Sequence, residues 1–215
     1  GKTTNSLEEL WSAFVKRDEK TISKSLNKLV EFHNQLLVEL FQEQSSSAKL
    51  FNESLSKLSN YLEKEPSENM AYEYDQIVSY GELWSTIIFS GALAAYKVNA
   101  KWMNARKIIR TTNHFQEARV DWPKTKDLVK STILSAFEKD MGLKCVVTQG
   151  FIGHANSGKT TTLGREGSDF SAAILAWATS AQQVLIWKDV PGLLNADPKE
   201  FENTIKIDRI SYKEA

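Results

Sequence analysis

Residues 144–176 read KCVVTQGFIGHANSGKTTTLGREGSDFSAAILA. Lys144-Cys-Val-Val-Thr148 is a short apolar run that suits a buried strand. Residues 148–169 form a long, small and polar segment with five glycines, expected to be a loop. At Ser168 an Ala-rich helical pattern begins, SDFSAAILAWATSA. In an open α/β sheet, ligands sit where loops leave the C-terminal ends of strands. A helix N-terminus there, with its free N–H groups and dipole, favours an anion such as phosphate or carboxylate. Arg165 can make a bidentate pair with a carboxylate. Asp169 puts a negative charge on the same helix start. The plainer alternative is that Ser168 or Asp169 only caps the helix. Composition leaves both open.

Outward toward the C-terminus, Gln183-Val-Leu-Ile-Trp187 reads as another strand, followed by the turn sequence DVPG. The loop KDVPGLLNADPK, 188–199, is the second candidate ligand loop. Asp189 stands at the strand end, where an aspartate binds a ribose, a metal or nothing. Pro191-Gly192 and Asp197-Pro198 are turn signals.

Toward the N-terminus, Thr125 to Lys139 reads as a helix with Leu128, Ile133, Leu134 and Phe137 on its apolar side. Ile108 and Ile109 suggest a short strand. Strands alternating with helices predict α/β layers with a mainly parallel sheet. The first hundred residues are instead helical. Leu7, Leu10, Trp11, Phe14 and Val15 recur at helical spacing behind Asn5 and Ser6 as candidate N-caps. Ile22, Leu26, Leu29, His33, Leu37 and Leu40 continue the period. Leu50 to Leu62 make a third helix, which Pro66 should end. Met70 to Tyr96 make a fourth, with Gly81 and Gly91 inside it for close packing or a site. The chain is expected to be one domain, 1–215, helix-rich over about 6–97 and α/β over about 98–215.

The composition bounds the function. With 27 Lys+Arg against 27 Asp+Glu, the net charge is zero, so a nucleic-acid partner is not expected. No uninterrupted apolar run approaches the ~18 residues of a membrane span, and no signal pattern opens the chain. No membrane contact and a cytoplasmic location are the expectation. Cys145 is the only cysteine, which excludes an internal disulfide and a cysteine-based zinc site.

One motif pulls another way. Gly153-His-Ala-Asn-Ser-Gly158-Lys159-Thr160 matches the phosphate-binding pattern G-x-x-x-x-G-K-T, and Asp189-Val-Pro-Gly192 imitates a GTPase D-x-x-G. A true P-loop Gly-Lys-Thr opens the next helix, so a structure in which Thr160 does not begin a helix eliminates this reading.

Taken with GKTTN at 1–5, SYGELWS at 79–85, ARKIIRT at 105–111, VDW at 120–122 and TQGFIG at 148–153, the block TTTLGREGSD resembles the catalytic domain of aspartate kinases. These are members of the amino-acid kinase superfamily. The resemblance is weakest over 15–70. It implies a three-layer α/β/α sheet and γ-phosphoryl transfer from Mg-ATP to the side-chain carboxylate of L-aspartate. The product is 4-phospho-L-aspartate, which enters lysine, threonine and methionine synthesis. By position, Thr4, Glu82, Phe151, Thr162, Arg165, Gly167 and Ser168 resemble the aspartate-binding residues. Arg165 would hold the α-carboxylate and Glu82 the α-ammonium, and Gly167 would let backbone approach the substrate. Asp169 resembles the catalytic aspartate that organises the transfer site. Lys188, Asp189, Leu194 and Lys199 occupy nucleotide-side positions. ATP is the implied cofactor, with Mg2+ carried by the nucleotide and no protein metal site, and a homodimer is a further expectation.

Three positions depart from the family pattern. Glu166 stands where a second glycine is usual, Leu194 where an adenine-stacking tyrosine is common, and Lys199 replaces an arginine. The family's first strand, with its Lys-Phe-Gly-Gly-Thr-Ser motif, and its C-terminal ACT domains have no counterpart in the chain. The 215 residues alone are therefore expected to be nearly inactive. Other amino-acid kinases (carbamate, glutamate, uridylate) and a non-catalytic scaffold are the remaining alternatives.

Overall fold

Four helices occupy the first half of the computed structural model, which describes residues 3–41, 45–188, 192–211 and 213–214. They are α1 (Thr3–Val15), α2 (Glu19–Leu40), α3 (Ser46–Leu62) and α4 (Met70–Ala95). Three of them start on side-chain caps. Asp18 accepts from the Thr21 N–H, Ser45 from Ala48 and Asn69 from Tyr72, each satisfying an N–H that the helix itself leaves unpaired. Asn5 and Ser6 are not caps, because α1 already runs from Thr3. α3 ends at Leu62, just ahead of Pro66.

The helices share one apolar interior. Leu7, Leu10 and Phe14 of α1, Leu29 and Leu37 of α2, Phe51 and Leu58 of α3, and Ile77, Leu83 and Trp84 of α4 are all buried in it. Each such side chain contributes roughly 1.5–3 kcal/mol relative to exposure. The glycines of α4 serve this packing. A Cβ at Gly81 would lie 3.0 Å from Leu7 Cδ1, and one at Gly91 2.8 Å from the Phe41 ring.

By length and composition α4 could cross a membrane, since one 18-residue window reaches a mean hydropathy of 1.2. Here its apolar residues instead enter the core, alongside two buried carboxylates, Glu73 and Asp75.

The second half supplies strands β1 (Ala100–Trp102), β2 (Arg110–Thr111), β3 (Cys145–Val147), β4 (Ile152–Ala155) and β5 (Thr160–Thr162). β1 pairs parallel with β3, and β2 pairs parallel with β4. β5 turns back antiparallel on β4. Helical segments α5 (Trp122–Val129), a π-helical turn (Lys130–Leu134), α6 (Ser135–Lys139) and α7 (Gly167–Thr179) complete the fold. Strand alternation sorts the side chains into two cores. Ile152 and Trp102 face the four-helix side. Val146 and Met103 join Ile108, Ile109, Val129, Ile133 and Ala178 on the other. The result is the three-layer α/β/α arrangement.

Several local expectations change. Ile108 and Ile109 lie just ahead of the strand: their N–H groups close onto the Ala105 carbonyl after a 3-10 turn, the Ile109 C=O accepts the His154 N–H, and β2 itself begins at Arg110. The π-helical turn adds a residue to its helix and rotates the buried face. Thr125, Val129, Ile133 and Ala136 are buried, while Phe137 is exposed. The expected loop at 148–167 folds into the β4–β5 hairpin, and α7 starts at Gly167. Gln183–Trp187 forms no strand, because no described strand pairs with it and its apolar side chains stay exposed.

The chain divides into a larger unit ending at Gln182 and a smaller one from Gln183 onward. In the smaller unit, Leu193–Asn195 lies against Ile205–Ile207 through the bonds Asn195 N–H to Ile205 C=O and Ile207 N–H to Leu193 C=O.

Candidate active site

α4 carries a polar stripe. Asp75, Ser79, Glu82 and Thr86 are spaced four, three and four residues apart, which places them on one helical face. At one end of the stripe, Asp75 is fully buried. Its carboxylate accepts from the Thr162 N–H (2.9 Å), the Thr162 hydroxyl (2.7 Å) and the Gln116 N–H (3.0 Å). Burial pushes the Asp75 carboxyl up, and those three donors pull it back down. At the other end, the Thr86 hydroxyl accepts from Gln149 Nε2 (2.7 Å) and Trp102 Nε1 (3.0 Å). Gln149 in turn accepts the Ala105 N–H at 2.7 Å.

Glu82 lies between these two anchors. It is half-buried, and burial pushes its carboxyl above the usual range. Among the described residues nothing donates to its carboxylate. A desolvated, unpartnered carboxylate on a packed face is a receptor for a cation.

The segment TQGFIG packs against the start of α7. A Cβ at Gly150 would lie 2.9 Å from the Ser168 Cα, and one at Gly167 2.8 Å from the Phe151 ring. Gly167 thus admits Phe151, the close approach that its sequence context suggested for a substrate. Phe151 sits at φ 66, held by its N–H to the Ser171 hydroxyl (2.9 Å) and its C=O to the Leu163 N–H (2.8 Å). A non-glycine residue in that conformation is strained, and such strain collects at functional sites.

Arg165 is exposed on the turn between Gly164, at φ 81, and Glu166, at φ 57. Glu166 occupies the N-cap position of α7 but makes no capping bond. The helix start, with Ser168 exposed and Asp169 half-buried, thus has no side-chain cap from Glu166 and follows directly on Arg165. Thr162 is fully buried, with its hydroxyl committed to Asp75 and its C=O to the Ala118 N–H. It shapes the site through its neighbours. Thr4 is exposed on the first turn of α1.

The P-loop reading fails on the hairpin. Thr160 begins β5, not a helix. Lys159 Nζ sits 5.5 Å over the Tyr72 ring, and the Ala155 and Gly158 N–H groups close the hairpin turn instead of facing a phosphate.

On the smaller unit, Lys188 and Lys199 are exposed, and Leu194 is bridged to Lys206. The Lys199 N–H donates to Asp197 Oδ1 at 2.9 Å, as the Asp-Pro turn signal anticipates. Asp189 lies outside the described residues. Thr4, Glu82, Phe151, Thr162, Arg165, Gly167, Ser168 and Asp169 thus lie on the larger unit, and Lys188, Leu194 and Lys199 on the smaller. Asp75, Gln76 and Gln149 were missed as site-builders. The signal for Asp75 was present, since it stands seven residues before Glu82, two helical turns along the same face.

A family model described as the amino acid kinase family matches residues 13–215. The chain belongs to the amino acid kinase family. Among its curated relatives in that family, the lysine-sensitive aspartokinase 3 of Escherichia coli (strain K12) is 43% identical over 141 residues, which is 66% of this chain and 30% of that protein. An aspartokinase of Helicobacter pylori is 41% identical over 143 residues, 66% of this chain and 33% of its own. The chain thus spans about a third of the length of these relatives. The crystal structure of E. coli aspartokinase III in complex with aspartate and ADP superposes with a TM-score of 0.85 at 32% identity, covering 96% of this chain and 44% of that one. A Clostridium acetobutylicum aspartate kinase shares the amino acid kinase fold at a TM-score of 0.75 and 24% identity, covering 100% of this chain and 43% of that one.

Proposed function

We propose that this chain is catalytic-domain sequence of an aspartate kinase, which transfers the γ-phosphoryl group of ATP to the side-chain carboxylate of L-aspartate and yields 4-phospho-L-aspartate. The observation that carries the reading is the half-buried Glu82 carboxylate, to which nothing donates among the described residues, together with the start of α7, which has no side-chain cap and follows directly on Arg165 in the same larger unit. An amino acid with one ammonium and two carboxylates needs both signs of charge in its pocket. Glu82 receives the ammonium. Arg165 holds the α-carboxylate through a bidentate pair. The α7 N-terminus, at Ser168, favours the remaining negative charge. Phe151 walls the pocket, and Thr4 stands at its α1 side.

Phosphoryl transfer needs positioning and charge neutralisation more than a covalent protein intermediate. Asp169 organises the transfer point. Lys188, Asp189, Leu194 and Lys199 contact the nucleotide. Mg2+ travels on the phosphates of ATP and neutralises charge there. The names of the relatives, and the aspartate and ADP named with the E. coli structure, support the substrate pair. We read the whole of 1–215 as one catalytic domain of a cytoplasmic, homodimeric enzyme.

The test is ADP release by the gene product that carries this chain, with aspartate, glutamate, carbamate or UMP as acceptor. Turnover confined to aspartate is the expected result. Equal or greater turnover with another acceptor overturns the assignment.

A further inference from the structure

Strand β5 has one edge paired with β4 and a second edge that no described strand covers. In β5 the backbone groups of Thr160 and Thr162 point to that second edge, because Gly153–Thr161 is the pair facing β4. An uncovered edge leaves backbone donors and acceptors to satisfy. Two consecutive side chains of α4 do most of this. The Gln76 carboxamide acts as a substitute peptide: its Nε2 donates to the Thr160 C=O (2.8 Å) and its Oε1 accepts the Thr160 N–H (3.3 Å). Asp75 takes the Thr162 N–H and hydroxyl. The Ala118 N–H covers the remaining Thr162 C=O at 2.9 Å. The same Asp75 carboxylate also holds the Gln116 N–H, in the segment that supplies Ala118.

The geometry points to Asp75 and Gln76 as a clamp that fixes the acceptor strand against Glu82. They are positioning residues: neither needs to touch the substrate. Both lie on α4 within two turns of Glu82, and β5 runs directly into Leu163, Gly164 and Arg165. The clamp therefore sets the separation between the group that takes the ammonium and the one that takes the carboxylate. A carboxylate suits position 75 because all three of its partners are donors. A carboxamide suits position 76 because Thr160 presents one donor and one acceptor. Exchanging the two chemistries would put like against like. This role rests on the acceptor-site reading above.

The test compares Asp75→Asn and Gln76→Ala with Glu73→Gln. Glu73 is a buried carboxylate of the same helix that serves the α3–α4 connection, accepting from the Tyr61 hydroxyl (2.6 Å) and the Ser67 N–H (2.7 Å). Three readouts are taken on each protein: Tm, Kd for L-aspartate by calorimetry, and amide hydrogen exchange over 160–167. Asp75→Asn and Gln76→Ala should raise Kd about tenfold or more, as expected when the two charged groups shift by a fraction of an ångström or more. They should also speed exchange over 160–167. Glu73→Gln should lower Tm and leave Kd unchanged. If Asp75→Asn fails to fold, Gln76→Ala carries the comparison. Kd values that merely follow Tm across all three variants overturn the clamp, as does unchanged Kd at positions 75 and 76. If the parent binds no aspartate, the acceptor-site reading falls by itself. The clamp is then judged on exchange alone, with retained protection over 160–167 in the Gln76→Ala protein overturning it.

Discussion

Glu166 holds a left-handed backbone conformation, φ 57, at the entrance to α7. A residue with a Cβ costs about 1–2 kcal/mol there relative to glycine. Its side chain is exposed and makes no capping bond. Glu166→Gly should therefore raise Tm by a few degrees, measured by calorimetry, without weakening aspartate binding. A fall in Tm would show that the carboxylate has a stabilising partner. Glu82 argues the other way. Burial raises its carboxyl, so the folded state resists ionising it, and at neutral pH the ionised group detracts from stability. Such a raised group is stability-neutral below the ordinary carboxylate range and costs stability as pH rises through it. Glu82→Gln should thus raise Tm at pH 7 more than at pH 4, while aspartate affinity falls about tenfold or more. Gained stability with lost binding marks a residue kept for function. A Tm that drops at pH 7 would contradict that account.

At the scale of elements, the helical half was legible because its signals are local. Asp18, Ser45 and Asn69 cap, and the 3.6-residue period marks the buried faces. The strands were less so. Residues 148–167 look like loop because Gly, Ser and Thr dominate them, yet β4 and β5 pair within that stretch. The far edge of β5 is satisfied by Asp75 and Gln76, more than eighty residues away, and no local pattern announces such a contact. Gln183–Trp187 shows the opposite failure. It has strand composition but no described partner strand, and a strand exists only where its N–H and C=O groups are paired. In α5 and α6 the apolar period holds as far as Ile133 and slips at Phe137, after a π-helical turn. Of the candidate site, Glu82, Arg165 and the α7 start were readable from motifs, whereas the hydrogen-bonded frame that holds them was not.

In the whole molecule, the helical layer has a built-in acid limit. His33 is buried on α2, with Nδ1 2.7 Å from the Leu29 C=O and its ring stacked on Phe51 and edge-on to Trp84. Burial holds its pKa below the ordinary histidine value. The unfolded chain takes up a proton near pH 6.5, which the folded chain resists, so stability is full above that pH and falls as pH drops below it. Denaturant titrations from pH 8 to pH 5 should show this decline, and His33→Leu should flatten it. An unchanged slope in that variant would assign the acid sensitivity to other groups. The layer bears on the proposed site because α4, which carries Asp75, Gln76 and Glu82, is packed against both α1 and α3. Loss of the helical core would release the stripe proposed to hold the acceptor side together.

The central claim is that the α4 face and the α7 start form a pocket for an amino acid with a free ammonium and two carboxylates. Calorimetric titration of L-aspartate into the parent protein and into Glu82→Gln tests it most directly. The account predicts saturable binding to the parent and a loss of about tenfold or more in the variant. Equal affinity in the two proteins, or no binding to the parent at all, would contradict it.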